Sequence, residues 1–205
     1  MMRPISTLVF LLALSAAPAR AGDPTPDRYQ ESYALEAAYN YDRALRQLAG
    51  IPAEGPDAYL LPLRRGWLLY LLGRYEESVT AYRRAIAADS AAIEAHLGLT
   101  LPLMALRRWG EAEAATRAVL ARAPGNYRAQ SRLAYCLYSA GKHAPAAEVY
   151  AELVAAYPAD VDMRTGLGWA RLKLGDTAGA RSAFADVLHL VPDHSSAQEG
   201  MTALR

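Results

Sequence analysis

A period of 34 residues constrains this chain more than any other feature. Residues 25–58, 59–92, 93–126, 127–160 and 161–194 align beneath one another without a gap. One column runs Pro56, Ser90, Pro124, Pro158, Pro192. A second is always small: Ala44, Ser78, Ala112, Ala146, Ala180. A third, Ser32, Gly66, Thr100, Ala134, Gly168, is small apart from the threonine. Apolar columns run Leu35, Leu69, Leu103, Leu137 (then Arg171) and Ile51, Ala85, Val119, Leu153, Val187. Another, Leu48, Tyr82, Thr116, Tyr150, Phe184, is large except at Thr116. Such a period marks an array in which each unit buries its apolar face only against its neighbours.

Within each block the apolar spacing predicts two helices and a tight turn. In the second block, positions 60, 63, 67 and 71 carry apolar residues at helical spacing, and 69 and 72 widen the stripe. Gly73 ends that helix, because glycine tolerates the left-handed conformation of a helix stop. A second amphipathic stretch runs from Tyr75 to about Asp89, with Glu76 and Glu77 in its first turn, where the helix dipole favours acids. Gly141 and Gly175 repeat the stop. The proline column ends each second helix, since proline lacks an amide hydrogen and restricts the residue before it.

Residues 25–194 resemble the tetratricopeptide repeat (TPR) family. The unit length, the two small columns and the proline near each unit's end carry the resemblance, most closely in Gly73–Tyr82 and Gly175–Phe184. It implies an all-α fold: a right-handed α-solenoid of about five 34-residue helix-turn-helix units, with residues 195–205 as a C-terminal capping helix. The first unit departs most, with Tyr39 in place of the turn glycine and Pro52 expected to cut its second helix short.

Ahead of the array, Met1-Met2-Arg3 begins a positive start and Ile5–Ala17 is mostly apolar. Ala19-Arg20-Ala21 supplies the small-x-small pattern of a signal-peptidase site. The apolar run is shorter than the about 20 residues needed to span a bilayer. Residues 1–21 are therefore expected to be a cleaved signal peptide and 22–24 a short linker, making the protein periplasmic or secreted, with no stable membrane anchor after cleavage.

Composition limits the chemistry. With 22 Lys+Arg against 21 Asp+Glu there is no bulk positive field for nucleic acid. The single cysteine, Cys136, excludes an intrachain disulfide and any multi-cysteine metal site, and its place on an apolar helix face predicts a buried, inert thiol. The four histidines fall in four different columns, and no metalloprotease, nucleophile-elbow or P-loop motif occurs. Glu76/Glu77 and Glu111/Glu113 read as helix-start and solvated acids rather than as a catalytic pair. No enzyme activity, metal or cofactor is expected.

Function is expected in the groove. In the family the first helix of each unit lines a concave face that binds partners. Carried onto this sequence, those columns hold Tyr29, Tyr33, Leu63, Trp67, Tyr70, Leu97, Leu101, Met104, Ser131, Tyr135, Tyr138, Thr165, Trp169 and Leu172. The face is apolar and aromatic, without the Lys, Arg and Asn set of the family's two-carboxylate clamp. Trp67, Tyr135 and Trp169 share a column and are expected to contact the partner, whereas Trp109 is expected in the core. Pro102 removes a helix bond to the Gly98 carbonyl and predicts a kink midway along the groove. These features suggest a non-catalytic scaffold of the cell envelope holding a partner protein or peptide. The alternative is a glycan-binding module, because aromatic grooves also stack sugar rings.

Overall fold

The apolar stripes pair into successive helical hairpins. The computed structural model describes residues 25–205; the expected signal peptide and linker lie outside the described residues. Five hairpins follow one another: α1 (Thr25–Ala37) with α2 (Tyr41–Gln47), α3 (Asp57–Leu71) with α4 (Tyr75–Ala88), α5 (Ile93–Ala105) with α6 (Trp109–Leu120), α7 (Tyr127–Ser139) with α8 (His143–Ala156), and α9 (Val161–Lys173) with α10 (Thr177–Leu190). The short helix α11 (Ser195–Ala203) covers the last pair through Ala197 and Gly200. No helix among the described residues is long and apolar enough to cross a membrane.

The layering follows from which helices touch. Each helix packs on its neighbours in sequence, and α3, α5, α7, α9 and α11 also touch one another in turn. No comparable contact joins the even-numbered helices. Odd helices therefore form the tighter inner layer, and the array curves towards them as an all-α solenoid.

The hairpin turns use one backbone device throughout. Position 15 of each unit (residues 39, 73, 107, 141 and 175) is left-handed, with φ of 58° at Tyr39, 72° at Gly73, 56° at Arg107, 78° at Gly141 and 79° at Gly175. The following amide bonds back to the first helix, as Arg108 N–H does to the Leu103 carbonyl at 2.8 Å. Two of the five are not glycine, and an L side chain there costs roughly 1–2 kcal/mol. Glycine's greater freedom in the unfolded chain offsets part of any gain from replacement. Arg107→Gly is therefore expected to stabilise the protein by about 0.5–1 kcal/mol, read as a higher urea midpoint at unchanged slope; a lower midpoint would show that the Arg107 side chain outweighs the backbone strain.

One local expectation needs correcting. Helix α2 does end early, but at Gln47, five residues before Pro52; the left-handed Gly50 (φ 78°) follows its last turn, so the chain has already left the helix when it reaches the proline. Helix α5 continues through Pro102 to Ala105. Proline's missing bond lies beside a strengthened stretch: Arg132 reaches from α7 to the Leu97 carbonyl (2.6 Å) and the Thr100 hydroxyl (2.8 Å).

That arginine belongs to a packing rule that spans the array. Between successive units, the space is filled in one of two ways. At three junctions an aromatic ring from the second helix fills it: Tyr82, Tyr150 and Phe184. Each ring lies where a side chain on the next first helix would stand. A Cβ added at Gly98 would come 2.3 Å from Tyr82, at Gly166 2.5 Å from Tyr150, and at Gly200 2.4 Å from Phe184. At the other two junctions the second helix carries Leu48 or Thr116, and an arginine from the next first helix fills the space. Arg64 donates to the Ser32 carbonyl (2.9 Å) and hydroxyl (3.2 Å), and Arg132 to the Thr100 hydroxyl. Mid-helix glycine costs about 0.5–1 kcal/mol against alanine, so its recurrence at 98, 166 and 200 is explained by the rings it admits.

Candidate functional site

The inner face opens into a pocket at its N-terminal end. It has a volume of about 880 Å³ between α1, α3 and α5, with Tyr29, Tyr33, Leu60, Leu63, Trp67 and Glu94 among its walls. Three of the large apolar side chains left most open to water line it: Tyr33 (58% exposed), Tyr39 (81%) and Leu60 (45%). Clustered exposure of this kind marks a contact surface more than a solvated face does.

Its walls are held by a polar network under the rings. Arg64 is almost wholly buried; it pairs with Glu36 and lies 3.8 Å from the centroid of the Tyr33 ring. The other Glu36 oxygen accepts the Trp67 indole N–H at 2.6 Å. Trp67 in turn stacks on Tyr70, with centroids 5.8 Å apart and planes 29° from parallel. The Tyr29 hydroxyl donates to Asp57 at 2.8 Å, and burial, then that hydrogen bond, raise its pKa. At the mouth the Tyr59 hydroxyl lies 3.4 Å from Glu94; burial and then the Glu94 charge push its pKa up to about 12.

The remaining groove columns are not equivalent. Leu97, Leu101 and Met104 on α5 are half-buried along the inner layer, as are Tyr138 and Leu172. Tyr135 stands open at 47% exposure with its ring edge-on to Trp109 at 5.9 Å, and Trp109 packs against the core of the second and third units. Trp169 is drawn into the terminal core: it meets Phe184 edge-on at 5.3 Å, and its N–H donates to Ser196 of α11 at 2.9 Å. The Trp67–Tyr135–Trp169 column thus divides, with Trp67 in the pocket, Tyr135 open and Trp169 under the cap. Thr165 is buried, its hydroxyl spent on the Val161 carbonyl.

Two arginines were missed by the groove columns. Arg64 and Arg132 sit one residue beyond the Leu63 column; Arg64 puts a buried cation at the base of the pocket, and Arg132 fills the space between the third and fourth units. Arg64 has a carboxylate partner; Arg132 forms no ion pair among the described residues, and burial lowers its pKa. The signal that could have found them was present in the sequence: a hydroxyl residue stands 32 positions before each, Ser32 and Thr100.

The adjacent acids are engaged in ion pairs, some within a unit and some between units. Glu76 and Glu111 both reach Arg108, at 3.0 and 2.6 Å, and Glu111 also reaches Arg83 at 2.5 Å. Glu113 lies between Lys142 and Arg117, each at 2.9 Å; the bonds to both cations outweigh its desolvation and lower its pKa. Cys136 is fully buried, and burial pushes its thiol up to about 11, away from the reactive thiolate.

Comparisons with known proteins agree with this geometry. Tetratricopeptide repeat models match residues 102–161 and 137–204, and a further TPR repeat model matches 66–101. Similar solved structures include MamA (residue 41 to the end) from Desulfovibrio magneticus RS-1, at TM-score 0.78 and 20% identity, covering 85% of this chain and 98% of that one. A tetratricopeptide repeat protein from Parabacteroides merdae superposes at TM-score 0.80 and 16% identity, covering 89% and 73%. YrrB, a TPR protein with an unusual peptide-binding site, superposes at 0.77 and 17%, covering 88% and 92%. No curated protein matches the chain. By its repeat columns, its hairpin stack and these matches, the chain belongs to the tetratricopeptide repeat family.

Proposed function

We propose that the protein is an exported, non-catalytic scaffold that holds a segment of a partner protein or peptide along its inner face, anchored in the pocket between α1, α3 and α5. The observation that carries this reading is the cluster of open aromatic and apolar side chains around that 880 Å³ cavity. An extended peptide suits it better than a glycan. Sugar stacking needs free ring faces, and one face of Tyr33 is taken by Arg64 while Trp67 is stacked on Tyr70.

Peptides selected on the full exported chain from a random display library test the reading. Truncating a central aromatic anchor costs about 2 kcal/mol or more of affinity, roughly 30-fold. Trp67→Ala should weaken the selected peptides by that order, while Trp169→Ala should instead destabilise the fold by about 3 kcal/mol. Peptides that bind Trp67→Ala and the unaltered chain equally would overturn the pocket assignment, and selection of oligosaccharides in place of peptides on a glycan array would favour the module reading.

Export is part of the proposal and rests on residues 1–21 alone. The mature protein should begin at Gly22, read by intact mass of the exported chain. A chain retaining residues 1–21 in the membrane fraction would overturn the assignment.

A further inference from the structure

We infer that the N-terminal pocket selects an arginine side chain of the segment lying in the groove; this deepens the groove reading above and rests on it. Shape alone asks only for an apolar group, but the charges at the pocket ask for more. Glu36 and Arg64 neutralise each other at its base. Arg64 is not free to receive an anion, since its guanidinium is buried, bonded to the Ser32 carbonyl and covered by the Tyr33 ring. Glu94 at the mouth is exposed and forms no ion pair among the described residues; its one neutral partner is the Tyr59 hydroxyl at 3.4 Å. The pocket therefore carries an uncompensated negative charge. The block that builds its outer wall, residues 25–58, holds six acidic residues against three basic ones.

The side of the exposed Tyr33 ring that Arg64 leaves uncovered points the same way. Aromatic faces attract cations, guanidinium above all, through the ring quadrupole. The pocket already shows this pairing once, with Arg64 over Tyr33. An incoming arginine would lay its aliphatic stem along Leu60 and Leu63 and place its planar head at Glu94, the division between stem and head that long cationic side chains make at any half-apolar surface. A partner carboxylate would instead meet Glu94 as a like charge. A purely apolar group would strip water from Glu94 and offer nothing in return.

Small probes separate charge from shape. The indole N–H resonance of Trp67 in the ¹⁵N-labelled full exported chain would be followed during titration with N-acetyl-arginine methylamide, with its neutral isostere N-acetyl-citrulline methylamide, and with N-acetyl-glutamate methylamide. The arginine probe should shift that resonance saturably and bind about fivefold or more tighter than the citrulline probe. Glu94→Gln should bring arginine down to the citrulline level without changing citrulline, and Glu199→Gln, on exposed α11, should change neither. Equal binding of arginine and citrulline, or tighter binding of glutamate, overturns the arginine inference and leaves an occupied groove standing. Absence of any shift with all three probes overturns the arginine inference as well; peptides selected as above that still need Trp67 would then show that the groove reading survives without it.

Discussion

Gly98→Arg is expected to unfold the middle of the array, and two further substitutions are expected to refold it. A Cβ alone at position 98 comes 2.3 Å from the Tyr82 ring, which is only 3% exposed. Overpacking on this scale costs about 3 kcal/mol or more. Tyr82→Thr alone leaves a cavity, at a cost of about 3–5 kcal/mol. The triple variant Gly66→Ser, Tyr82→Thr, Gly98→Arg rebuilds at the second junction what the protein already uses at the third, where Thr116 leaves space for Arg132 and Thr100 bonds it. Urea unfolding followed by circular dichroism should find the triple variant more stable than either single one by about 2 kcal/mol. A triple variant less stable than Gly98→Arg would show that rings and arginines do not exchange as a unit.

The same rule reverses the usual effect of shortening a solenoid. Stability of a repeat array grows with the number of units and interfaces, so deleting one unit should cost less than deleting two. Here the new junctions differ. Deleting residues 93–126 brings Tyr82 against Arg132, two large side chains competing for one space. Deleting residues 93–160 brings Tyr82 against Gly166, the pairing already made by Tyr150. The two-unit deletion is therefore expected to melt cooperatively as a folded, shorter rod, and the one-unit deletion to melt lower or to expand in size-exclusion chromatography. If stability simply follows unit number, the junction rule does not govern the array.

Much of this architecture is legible in the sequence because the determining residues recur in register. Small residues at 32, 66, 100, 134 and 168 and the proline column mark the hairpins without any three-dimensional information. What was not legible depends on relations between columns. Tyr82 with Gly98 and Thr116 with Arg132 become meaningful only when residues 16 apart are known to share one space. Proline is the stronger sequence signal for the stop of α2, yet the left-handed Gly50 comes before Pro52 along the chain. Trp169 shares the column of Trp67, but α11 covers the last unit, and the Trp169 indole donates to Ser196 there. Arg64 was overlooked because arginine normally stays in water, and its burial is made tolerable by Ser32, Glu36 and Tyr33 together.

Site-specific photo-crosslinking in the native host tests most directly whether the inner face is where the protein works. A photoreactive phenylalanine analogue would replace Leu60, which is 45% exposed at the pocket, or Glu148, exposed on the outer helix α8. The full chain would be expressed with its own residues 1–21, and irradiated cells would be analysed for discrete adducts. A scaffold that binds through its inner groove gives a defined adduct from position 60, lost when Trp67→Ala is added, and none from position 148. A defined adduct from position 148 with none from position 60 would contradict it.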